Sequence, residues 1–190
     1  YAAATTATVC DEVYRTLMKM RWQPNLQIIP HYESEPLYID ALINSLRKKI
    51  NEISWKPDLV IASYHGIPKK YFDKGDPYHC YCHKTTRLLS EKFKEIPIKT
   101  TFQSRFGPQE WLQPYTDKTI EKLPEEGKKN ILVISPGFSS DCVETLEEIS
   151  IQGKDSFLKS GGLNFEMVPC LNDSDDHIKL LKYLITRKNH

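Results

Sequence analysis

At 190 residues, 39% hydrophobic and 27% charged, the chain is long enough for one good core and nearly enough for two small ones. A balance of 26 basic against 25 acidic residues leaves a net charge of +1 and excludes the basic excess of a nucleic-acid binder. No window approaches the length of a membrane span, which leaves room only for a peripheral membrane contact. Five cysteines, an odd count, read as free thiols of a reducing, cytoplasmic protein rather than a disulfide framework.

Taken in chain order, Val9, Val13, Leu17 and Met20 mark an opening amphipathic helix. No strand precedes it. The start at Tyr1-Ala2-Ala3-Ala4 reads as a processed chain or a piece of a longer one. An apolar run at 26–30 predicts a first strand. Pro36 then opens a helix with a stripe of Leu42, Leu46, Ile50 and Ile53. Further β-branched runs at 58–63, 97–102, 130–135 and 164–169 alternate with helical patterns. One of those patterns contains Leu88, Leu89 and Phe93, and a closing helix runs from His177 to Leu184. This alternation predicts an α/β fold, a parallel sheet covered by helices.

Ligands in such sheets gather beyond the carboxyl ends of the strands. His65 ends the run Leu59–Tyr64, and Glu144 lies just beyond Ile131–Ser135. A histidine can take a proton or ligate a metal near neutrality. The plain alternative is a strand-end imidazole bonded to a backbone carbonyl. Asp141 and Glu144 fit a capping box, with a side-chain acceptor at the N-cap and a glutamate at N3. Glu144 and Glu148, four apart, equally fit an acidic ladder for a metal ion or protons. In His79-Cys80-Tyr81-Cys82-His83 the ligand types suit a soft metal. The C-x-C spacing is too tight for structural zinc, and the alternative is a loop leading into the helix of Leu88 and Leu89. The aromatic and proline-rich stretch from Phe102 to Pro114, with Trp111, suits a wall for a flat apolar ligand. Neither a phosphate-cradling glycine loop nor a G-x-S-x-G elbow is present.

Four segments together resemble the ferrochelatase family: Tyr1–Val9 (YAAATTATV), Ser63–Pro77 (SYHGIPKKYFDKGDP), Thr101–Pro114 (TFQSRFGPQEWLQP) and Pro136–Glu148 (PGFSSDCVETLEE). GDPYHCYCHKT gives the resemblance a proteobacterial flavour. It implies a Rossmann-like, chelatase-type fold and insertion of Fe²⁺ into protoporphyrin IX, with both as substrates. It also implies that residues 1–24 hold a helix closing a missing N-terminal domain. Residues 25–173 are then the C-terminal chelatase domain, and 174–190 a helix packing back toward the first.

By resemblance His65 is the active-site base or metal ligand, Glu144 faces it, and Glu148 extends the acidic line. Tyr64, Trp111, Phe138, Asp141 and Cys142 then belong to the porphyrin pocket. Cys142 stands where animal relatives carry histidine, and Gln152 replaces an acidic residue one turn beyond Glu148. The end at Asn189-His190, together with Ala3 near a cluster-ligand position, implies no animal-type [2Fe–2S] cluster and no tightly bound cofactor. A cobalt chelatase of the same fold, or a half-domain that binds porphyrin or metal without turnover, are the alternative readings.

Overall fold

Residues that alternate between two buried faces set the centre of this computed structural model, which describes residues 1–29 and 31–187. Strand β1 (Leu59–His65) shows the pattern. Val60, Ala62 and Tyr64 enter one apolar cluster, while Leu59 and Ile61 enter another. With side chains alternating along a strand, Ser63 and His65 share the side of Leu59 and Ile61.

Around it, β2 (Ile98–Gln103), β3 (Asn130–Ile134) and β4 (Asn164–Met167) complete a sheet in the order β2-β1-β3-β4. All three pairings are parallel. Strands buried on both faces need continuous apolar runs, which is what Leu59–Ala62 and Ile131–Ile134 supply.

Helices cover both faces. In chain order they are α1 (Thr8–Leu17), α2 (Pro36–Glu52), α3 (Lys69–Asp73), α4 (Tyr78–Lys92), α5 (Thr116–Lys122), α6 (Lys154–Lys159) and α7 (Asp175–Thr186). Helices α2, α4 and α7 pack on the Tyr64 face, through Leu42, Leu46, Leu89, Leu180 and Leu184. Ile120 and Leu123 of α5 and its C-terminal end, with Ile149 and Phe157, pack on the other. A π-helical segment, Glu144–Gly153, runs straight into α6. A shorter one, Ala3–Ala7, precedes α1.

Four of the five expected strands are present within a residue or two. The run at 26–30 is not: residues 26–29 form no regular secondary structure, and Pro30 lies outside the described residues. The sheet's edge strands are β2 and β4, and residues 26–29 pair with neither. Leu26 and Ile28 instead meet Ala4, Val9 and Val13 in an apolar groove. The opening helix exists but buries none of its residues; Val9 is 63% and Met18 86% exposed. His79 to His83 is the start of α4 rather than a loop, because Asp76 accepts from the Tyr78 N–H at 2.9 Å and so starts the helix early.

Candidate functional site

The carboxyl end of β1 delivers His65 to a cleft of about 630 Å³ lined also by Gln103, Ser104, Glu144 and Glu148. Gly66 follows directly and lets the chain turn against β2. Its N–H donates to the Gln103 carbonyl at 2.7 Å, and a Cβ there would stand 2.9 Å from that oxygen and 3.2 Å from Trp111. The His65 Nδ1 lies 2.6 Å from the Gly66 carbonyl. A carbonyl only accepts, so Nδ1 carries the proton and Nε2 keeps a free lone pair. The backbone contact expected of a plain strand-end histidine is therefore present, and it also prepares the other nitrogen for chemistry. Phe138 and Trp111 flank the ring, with centroids 6.2 and 6.5 Å away.

Gln103 is opposite His65 in the β1–β2 register and links the strands to the acidic segment. Its Oε1 accepts from the Ser63 hydroxyl at 2.8 Å, which continues to Thr116 and Thr101 as a buried hydroxyl chain. Its Nε2 donates to the Glu144 carbonyl at 2.8 Å and to Glu148 Oε2 at 3.3 Å. Ser104 has φ +64, uncommon without glycine. That turn aims both its N–H and its hydroxyl at the Glu148 carboxylate, at 2.7 and 2.5 Å. Glu148 is thus held by three donors. The Glu144 carboxyl is free of backbone ties to other elements. A hydrogen bond from Cys142, its own N–H and the field of His65 hold it below the usual carboxylate range. Burial, then Glu144, pushes the Cys142 thiol up, so the sulfur stays protonated as donor.

His65, Glu144 and Glu148 therefore share one cleft, with Trp111 and Phe138 beside the imidazole. Other expected residues lie elsewhere. Tyr64 points through the opposite face, where its buried hydroxyl meets Thr86 at 3.0 Å. Burial raises its pKa well above the usual tyrosine range. It lines, with Tyr38, Tyr78 and Phe138, a second cavity of about 360 Å³. Asp141 is no N-cap: no side chain caps the Glu144–Gly153 segment. Its carboxylate instead accepts from Asn172 Nδ2 at 2.7 Å, the Cys170 N–H at 3.1 Å and the Thr145 hydroxyl at 3.3 Å. It ties two loops together. The capping expectation fails because both parts of Asp141 are engaged by distant partners: its N–H donates to Asn172 Oδ1 at 2.8 Å, and its carboxylate is taken by Asn172 and Cys170.

Sequence reading passed over Gln103 and Ser104. Counting alternate positions back from the β2 terminus would have placed Gln103 beside His65; the positive φ of Ser104 had no sequence signal.

A family model described as Ferrochelatase matches residues 1–189. Curated ferrochelatases of Allorhizobium ampelinum and Rhizobium meliloti are each 56% identical over 190 residues, 99% of this chain and 55% and 56% of their own lengths. That of Brucella anthropi is 50% identical and covered over 54% of its length. The chain thus spans about half the length of the curated relatives it matches. Among solved structures, a multi-domain Deinococcus radiodurans protein described as structurally similar to chelatases matches with a TM-score of 0.54 and 10% identity, over 81% of this chain and 30% of its own. That likeness concerns the fold alone. Matched over nearly all its residues and half-identical to its relatives, the chain belongs to the ferrochelatase family.

Proposed function

We propose that this chain supplies the metal-inserting face of a ferrochelatase, which places Fe²⁺ into protoporphyrin IX to form haem. The observation that carries the reading is the free Nε2 of His65 set in one cleft with Glu144 and Glu148. A free-base porphyrin holds two N–H protons, and two protons leave for each Fe²⁺ that enters. His65 accepts a pyrrole proton or ligates the entering ion through Nε2. The Glu144 carboxylate, ionised at neutral pH, balances the charge of the cation or relays the second proton. Glu148, fixed by Gln103 and Ser104, is the hard oxygen station behind it. Trp111 and Phe138 give the macrocycle an apolar edge.

The remaining half of the site belongs to a first domain of the longer protein, which residues 1–24 close and toward which the outer side of α7 packs back, its inner side being held on this sheet by Leu180 and Leu184; residues 188–190 lie outside the described residues. The exposed apolar side of α1, with Val9 and Tyr14, supports that reading. Among the described residues no helix is long and apolar enough to cross a membrane; the proposed setting is cytoplasmic, with peripheral membrane contact allowed. We propose no animal-type [2Fe–2S] cluster; its absorption bands in purified full-length protein would overturn that statement. The central test is anaerobic metallation of protoporphyrin IX by full-length protein, followed by absorbance. His65→Ala is expected to lower turnover at least a hundredfold, the scale of a lost acid–base group. Normal turnover in that variant would remove His65 from the mechanism.

A further inference from the structure

The first turns of α4 carry His79 and His83, four residues apart and therefore stacked on one helix face. Their ring centroids are 4.4 Å apart. His31, His65 and His177 each commit Nδ1 to a carboxylate or carbonyl oxygen. His79 and His83 make no hydrogen bond to any described residue. They are instead held by flat apolar contacts. Phe72 packs against His79 at 4.7 Å, Phe102 stacks on it at 5.7 Å, and Phe102 also reaches His83 at 6.0 Å. Ring packing orients both imidazoles while leaving all four nitrogens unpaired. The nearby cysteines do not join them: Cys82 is buried, and Cys80, one residue on from His79, leaves the helix about 100° away.

We propose that His79 and His83 form a two-imidazole binding site for a late first-row divalent cation, separate from the His65–Glu144 cleft. Two histidines at this spacing on one helix are a recurring chelate for transition metals. The separation of the rings suits a shared ion. A metal about 2.1 Å from each ring nitrogen lies about 3.2 Å from each ring centre, so ligands at about 90° put the centres about 4.6 Å apart and tetrahedral ligands about 5.3 Å. The observed 4.4 Å is close to these separations, so one ion can lie between the two rings. Among the described residues no group of three or more His, Cys, Asp or Glu could hold a metal, so the other coordination positions are left to water. A two-ligand site open on one side exchanges its cation readily; it is a docking point and not a structural centre.

The test is a Ni²⁺ titration of the full-length protein carrying Cys80→Ser, which removes the exposed thiol next door. The expected result is that paramagnetic Ni²⁺ broadens the His79 and His83 imidazole NMR signals together, ahead of those of His31 and His177. His83→Ala, at an exposed position, and His79→Phe, which keeps a ring against Phe102, are each expected to weaken the first Ni²⁺ equivalent more than tenfold by calorimetry. Unchanged affinity in either variant, or broadening of one ring without the other, overturns the proposal. Loss of the same equivalent in His65→Ala also overturns it, by assigning that cation to the other cleft. Because the readout is Ni²⁺ binding, its outcome is independent of whether porphyrin metallation is found.

Discussion

Gly66 is where a single methyl group has no room. Its would-be Cβ meets a backbone oxygen that is already tied to the Gly66 N–H, so that contact cannot open without breaking the pairing of β1 and β2. Gly66→Ala is expected to cost about 1–3 kcal/mol in urea unfolding, as overpacking does, and to displace Trp111. Gln103 is a second pressure point. Gln103→Leu leaves the Glu144 carbonyl without its Nε2 donor, removes the Oε1 acceptor of the Ser63 hydroxyl and takes away one of the three donors on Glu148, for about 1–3 kcal/mol. In full-length protein it is expected to lower kcat for metallation while leaving KM for porphyrin nearly unchanged, because Gln103 places a carboxylate and sits behind the ring site; a KM effect alone would refute that. Asp141 carries an acid-side dependence. Burial works to raise its pKa, but the hydrogen bonds from Asn172, Cys170 and Thr145 outweigh burial and leave it below the ordinary 3.8. A carboxyl depressed in the folded state adds stability above its unfolded pKa, and that stability is lost as pH falls through the folded value. The parent is therefore expected to lose more stability than Asp141→Asn between about pH 4 and pH 2 in denaturation curves.

At the scale of elements, the Glu144–Gly153 segment and α1 carry the informative departures. A π-helical turn is rare and tends to mark functional sites. Here it starts at Glu144, includes Glu148 and packs through Ile149 against the sheet, so both carboxylates ride on one segment anchored at its buried side. The Ser150 hydroxyl also donates to the Thr145 carbonyl at 3.2 Å. Helix α1 shows the opposite situation, an amphipathic helix whose apolar side borders a groove shared with Leu26 and Ile28 and buries none of its residues. An exposed valine on a helix costs little to replace, whereas a charge in an apolar interface costs several kcal/mol. Val9→Glu is therefore expected to leave the 190-residue chain's melting temperature within a degree or two, and to lower that of the full-length protein by about 4 °C or more. Equal shifts in the two would count against a domain resting on α1.

Across the whole molecule, the periodic and local features were legible in the sequence, and the pairings were not. Four parallel strands, the helix after Pro36 and the closing helix follow from apolar spacing, which burial on two faces imposes on any chain of this class. The sequence also named His65, Glu144 and Glu148, since strand ends face the cleft of an α/β sheet. Pairing across long separations was another matter. The run at 26–30 has strand composition, yet composition does not say which run reaches a sheet, and in the assembled sheet β2 and β4 hold the edges. The resemblance puts Tyr64 in the pocket with His65; in a strand, however, neighbours point to opposite faces, and only the packing of two helix layers decides which face is the cleft. Asp141 has the composition of a cap, but Asn172 and Cys170, some thirty residues onward, compete for its oxygens and win. Gln103 and Ser104 acquire their part only when β2 lies beside β1 and the acidic segment folds over both. What the sequence by itself determined is the class of fold and the chemical groups available, because these follow from local spacing and residue type. What only the tertiary structure decided is which groups meet: the protonated nitrogen of His65, the donors around Glu148 and the unpaired rings of His79 and His83 depend on contacts that no local pattern records.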